Sequence, residues 1–247
     1  MPREVEAGQT IFVQACARMM SAAWIKCQME ETSTAPRANL SGIAYSMRFT
    51  IASDIGMAFE LGLKSVAQGL SPNPDGQPQV LNSHELHSVL WRSIPPQVRQ
   101  EIDDDAEWGV CGMFGADNAG KVLPFSDYVR KHADFLDRTV DNRYAIPGDS
   151  QWKSDHRFIL GDRWLPGYVF SETNAGNTCV DGLGILLAYW WAIMKKACGL
   201  RWEDARCEAD KELAADRDEA WALVDRATGQ MFGNIKVLSR QGLEKKR

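Results

Sequence analysis

At 247 residues, with 45% hydrophobic and 25% charged residues, the chain has the composition of a folded globular protein, and wholesale disorder is excluded. Its net charge of −5 and pI near 5.5 exclude a general attraction to phosphate backbones, so any nucleic-acid binding has to come from a local site. The most apolar run, Leu183 to Met194, falls short of the ~20 residues of a bilayer span. The opening "MPREVEAGQT" has no apolar stretch of signal-peptide type, so the expectation is a cytoplasmic protein with no membrane partner.

In chain order, apolar residues near Ile11, Ala15, Met19, Ala22 or Ala23 and Lys26 or Cys27 recur with a helical period, predicting a helix over about 4–30 that "TSTAPRAN" breaks. Ser41 is placed to cap a second helix with the stripe Ile43, Met47, Ile51, Ile55, Ala58, Gly62 and Val66. That helix should end where Gly69 to Pro78 supplies three prolines and two glycines. Ser83 is placed to cap a third helix with Leu86, Val89 and Leu90 inward, stopped by "SIPP". Pro95 and Pro96 suit the first turn of the next helix, expected over about 96–107. The four glycines of Gly109 to Lys121 predict irregular chain, and a helix over about 124–140 then carries Phe125, Tyr128, Val129, His132, Phe135, Leu136 and Val140 on one face.

After "IPGDS" the pattern changes. Arg157 to Phe170 is rich in aromatic and β-branched residues between turn signals, which predicts a short β-hairpin. Two helices follow, about 179–198 and 202–227, separated by Gly199. The second has an apolar stripe through Trp202, Ala205, Ala209, Leu213, Ala220, Leu223 and Ala227, and between Arg201 and Arg226 it has five basic against nine acidic residues, an acidic solvated face. The six cysteines are scattered without a Cys-x-x-Cys pair, which suits reduced thiols.

Two of the four histidines, His84 and His87, stand three residues apart beside Glu85. A zinc hydrolase helix needs His-Glu-x-x-His, whose ligands share a face at i and i+4, and this run is one residue short with no third ligand in view. No metal and no cofactor are expected. The local reading has His84 packing or hydrogen-bonding near a helix start while His87 faces solvent. The run Glu101 to Glu107 holds five carboxylates without the spacing or the glycine of a calcium loop, so a solvated helix end is expected.

Read together, "YSMRFTIASDIGMAFELGLKSVAQGL", the Pro-rich loop, "SHELHSVLWRSIPPQVRQEI" and "FLDRTVDNRYAIPG" resemble the HEPN family of prokaryotic helical proteins over about 41–147. The matching elements are Glu60 and Lys64 of a Glu-x-x-x-Lys helix, His84-Glu85-Leu86, Leu90-Trp91 with Ile94-Pro95, and the late pair Arg143-Tyr144. The resemblance implies an up-and-down helical bundle, often dimeric, found in defence systems, toxin–antitoxin pairs and stress responses. Active members are metal-independent ribonucleases with an arginine, four to six intervening residues, then a histidine, where the ring serves as acid or base and the arginine stabilises the phosphorane. This chain departs from that signature: no histidine has an arginine five to seven residues before it.

The expected architecture is therefore mainly α: a HEPN-like bundle over residues 1–150, a hairpin or loop segment over 151–177, and two C-terminal helices over 178–247 packed on or extending the bundle. The candidate catalytic residues are Arg143, Tyr144 and His84, and the candidate binding residues are Glu60, Lys64 and Asp141. A structural alternative pairs Arg143 with Asp137, Asp141 or Glu60 and leaves Glu60 and Lys64 as an i, i+4 helix pair of about 0.3 kcal/mol. The expected function is binding of RNA, a nucleotide or a protein partner in a defence or stress system, without the standard nuclease pair. A diverged metal-independent ribonuclease toxin stands beside it. So does a structural subunit that self-associates through the aromatic "AYWWAIM" face.

Overall fold

The computed structural model describes residues 7–34, 41–71, 83–114, 116, 120, 122–137, 182–202 and 211–232. These form a mainly helical body of seven α-helices and one π-helical turn, with no strand among the described residues. The helices are α1 (Ala7–Thr34), α2 (Ser41–Gly69), α3 (Pro96–Phe114), α4 (Phe125–Lys131), α5 (Ala133–Leu136), α6 (Gly182–Trp202) and α7 (Lys211–Phe232), and the π turn spans Leu86–Trp91. The hairpin expected over Arg157 to Phe170 lies outside the described residues.

Two helices form the centre. In α6 every residue from Leu186 to Met194 is buried, and a helix apolar on all sides has to be enclosed by others. It packs against α2, α3 and α7. The aromatic "AYWWAIM" segment is thus core: Tyr189, Trp190 and Trp191 are enclosed by the chain itself and offer no face for self-association. Helix α2 is enclosed almost as fully from Ile51 to Val66, and α1 lies along it with Phe12, Ala15, Cys16, Met19, Ala22 and Ala23 inward. Gly62 and Gly69 permit the close approach of α2 and α6, since a Cβ on them would meet Ile193 Cγ2 at 3.1 Å and Leu200 Cβ at 2.9 Å. Helix α7 closes the other side against α1 and α6, burying Ala220, Trp221, Val224, Ala227 and Met231.

Several boundaries differ from the sequence reading. Helix α3 continues through Gly109 and Gly112 to Phe114, because buried Gly109 and Val110 extend the stripe begun by Ile102 and Ala106, and burial outweighs the roughly 1 kcal/mol penalty of a helical glycine. Gly199 likewise does not separate two helices. Helix α6 runs on to Trp202, whose ring packs edge-on against Phe12 at 5.2 Å and so belongs to α6 rather than to the last helix. The helix expected over 124–140 breaks at His132, with φ −115° and ψ 30° between α4 and α5, yet Phe125, Tyr128, Val129, His132 and Leu136 are all buried.

The third expected helix is a single π turn closed by the Leu90 N–H donating to the Glu85 carbonyl at 3.0 Å. Leu86 and Leu90 point inward as expected, whereas Val89 is exposed. Cys16, Cys27 and Cys111 are free thiols, and burial pushes Cys16 up to about 12, out of the range of a nucleophile.

Candidate functional site

A helix enclosed on all sides has to satisfy every charge it carries, and α2 carries Asp54, Glu60 and Lys64 inward. Asp54 accepts hydrogen bonds from Ser21 Oγ at 2.7 Å and Arg18 Nη1 at 3.1 Å, both on α1. That cluster ties two helices together. One turn and a half further along, Glu60 Oε1 accepts from Lys64 Nζ at 2.6 Å, and both side chains are buried, 5% and 7% exposed.

The same oxygen meets His84 Nδ1 at 3.0 Å. An ionised carboxylate only accepts, so Nδ1 carries the proton and donates. In the neutral ring Nε2 is then left as an acceptor. The imidazole side chain is 68% exposed, so a solvent-facing ring stands on a buried ion pair. Carboxylates that hold one imidazole nitrogen and fix the work of the other recur in acid–base and ligand-binding sites.

The backbone that presents His84 lies just ahead of the π turn. Ser83, His84 and Glu85 lie outside any helix, and Glu85 has φ −84° and ψ 106°. Ser83 Oγ accepts the Glu85 N–H at 3.2 Å, and Asp137 Oδ1 accepts the Leu86 N–H at 2.7 Å. Ser83 thus closes a local turn two residues ahead of the cap and is not the helix cap expected from the sequence, since the N-cap is Glu85 and has no side-chain cap bond. Burial pushes the Asp137 carboxyl above its ordinary value, against the opposing effect of the Leu86 N–H. His87 is partly exposed.

Three of the six sequence candidates thus meet at one point: Glu60, Lys64 and His84. Arg143, Tyr144 and Asp141 lie outside the described residues. Asp137 entered the sequence reading only as a partner for Arg143. Its bond to Leu86 crosses 51 residues and ends on a backbone N–H, a pairing that leaves no pattern in side-chain spacing.

The acidic run on α3 is also placed differently from its expected role as a solvated helix end. Asp103 Oδ1 accepts the Phe125 N–H at 2.8 Å and so caps α4. Asp105 pairs with Lys195 at 2.7 Å and Glu101 with Lys196, both on α6. Asp103 is pushed up to about 6, mainly by burial, with Asp104 and Asp127 adding to the shift. Burial, with Asp103 as the leading charge, also raises the buried Tyr189 phenol.

Among the described residues no three His, Cys, Asp or Glu side chains converge as metal ligands, and no helix is long and apolar enough to cross a membrane. No model of a known protein family, no curated protein and no solved structure matches the chain.

Proposed function

We propose that the chain is a HEPN-like protein of a prokaryotic defence or stress system that binds RNA or a nucleotide through His84, held on Glu60 and Lys64. The observation that carries this reading is the convergence of those three residues, drawn from two separate motifs, on a ring that stays exposed. The resemblance over 41–147 supplies the biological setting. An exposed imidazole suits such a ligand in either charge state: the neutral Nε2 accepts from a ribose 2′-hydroxyl, and the imidazolium donates to a phosphate oxygen. The ring face also offers stacking to an unpaired base.

Binding is tested by titrating the protein into labelled single-stranded RNA, and separately into labelled ATP, and following fluorescence anisotropy. Saturable binding to one of them that weakens in His84→Ala supports the reading. An absence of binding to both contradicts it, as does a variant that binds as tightly as the wild type.

The Glu60–His84 hydrogen bond favours a second reading, a diverged metal-independent ribonuclease in which the ring acts as base on a 2′-hydroxyl. Expression of such an enzyme arrests growth and cuts cellular RNA, and His84→Ala relieves both. RNA left intact by the wild type, in cells and in buffer with a chelator, contradicts it.

A further inference from the structure

We infer that Asp137 is the positioning residue for His84, gripping the backbone two residues beyond the ring that Glu60 grips at its nitrogen. The inference rests on His84 being the ligand-facing group of the proposed site. Three observations carry it. First, Ser83 and His84 lie ahead of the π turn, whose closing hydrogen bond starts only at the Glu85 carbonyl, and Leu86 is the first residue of that turn. Such a first N–H has no partner within its helix, and the Asp137 carboxylate takes it at 2.7 Å.

Second, Asp137 is itself placed. It closes α5, its own N–H donating to the Ala133 carbonyl at 2.8 Å, and α5 packs on α2, the helix that carries Glu60 and Lys64. The two carboxylates that hold the His84 segment are therefore registered to one helix. Third, the side chain of Leu86 is buried while that of His84 is exposed, a reversal of side-chain environment within two residues. A carboxylate at the Leu86 amide fixes where that reversal falls. Without it, the ring contact found among the described residues is the bond to Glu60, which an exposed side chain exchanges readily for water.

The test reads the tautomer of His84 in the intact protein by ¹⁵N NMR of labelled imidazoles, well above the ordinary imidazole pKa of about 6.5. Resonances are assigned with His84→Ala. The wild type is expected to show the Nδ1–H form. Asp137→Asn keeps an oxygen that accepts from the Leu86 amide and should retain that form, whereas Asp137→Ala should lose it to the Nε2–H form that free imidazoles favour. An Asp137→Ala protein that keeps the Nδ1–H signature overturns the positioning role. An Asp137→Asn protein that loses it also does so.

Hydrogen exchange of the Leu86 amide in the wild type supplies a readout that survives a poorly folding variant: strong protection supports the inference, and exchange at the rate of an open loop overturns it. A wild type already in the Nε2–H form removes the Glu60–His84 pair itself, which is a failure of the underlying site. RNA binding enters neither measurement, so loss of the RNA reading is scored separately.

Discussion

Glu60 on α2 and Asp103 on α3 both bring a carboxylate into the helical body, and they are satisfied in different ways. Among the described residues Glu60 is met by a cation, Lys64, and by the ring of His84; Asp103 is met by the backbone N–H of Phe125. A carboxylate that ends on a backbone amide fixes the start of a helix, and its chemistry goes no further than that helix. One that ends on an exposed imidazole transmits its charge to a group that solvent and ligands reach. The difference separates a structural acid from the acid of the proposed site, even though Asp103 is the one whose ionisation is visibly disturbed.

The largest expected effect comes from breaking the Glu60 side of this comparison. Lys64→Met takes from the buried Glu60 carboxylate its Lys64 partner, and loss of one partner of a buried pair costs about 3–5 kcal/mol. Urea denaturation measures it. Replacing Glu60 and Lys64 together by Leu and Met should recover much of that loss, because no uncompensated charge is left. A Lys64→Met protein as stable as the wild type would mean that Glu60 is not held as an ion.

The Asp103 side should respond with the opposite sign. Its folded pKa of about 6 stands above the ordinary 3.8, so the folded state binds the proton more tightly and stability falls as pH rises through that interval. Asp103→Asn keeps an oxygen for the Phe125 N–H and removes the buried charge. After allowing for solvent screening, it should stabilise the protein by about 1 kcal/mol at pH values above 6 and by progressively less as pH falls toward 3.8. Thermal melts across that range check the sign.

The smallest effect belongs to the ion pairs between α3 and α6. Lys196 and Glu101 are both partly open to solvent, and Lys196→Ala should change stability by less than about 1 kcal/mol, with salt masking even that. A loss as large as that of Lys64→Met would place this pair among the core interactions.

What was legible in the sequence follows the same division. Helix α2 could be read with both its ends, because Ser41 and the Gly/Pro-rich stretch after Val66 act locally. Glu60 and Lys64 could be read because i, i+4 is itself a helical contact, and His84 because its His-Glu-Leu element stood in a recognisable order behind that helix. Asp137 and Asp103 could not be read in these roles, since each binds a backbone amide far along the chain. The helical passages through Gly109 and Gly199 were missed for a related reason. Glycine there is judged by propensity in a sequence, whereas in the fold it is judged by what encloses it. The acidic run on α3 looked solvated because Lys195 and Lys196, its partners, lie about ninety residues away.

In the proposed site His84 is an exposed ligand contact on which the fold does not depend. This role is tested most directly by measuring RNA and ATP affinity together with thermal stability for the wild type and His84→Ala. His84→Ala should lose at least about tenfold in affinity for the bound ligand, about 1.4 kcal/mol, with a melting temperature close to that of the wild type, since Glu60 retains Lys64. Unchanged affinity with a clear fall in melting temperature would contradict that role and make His84 a structural contact of the turn.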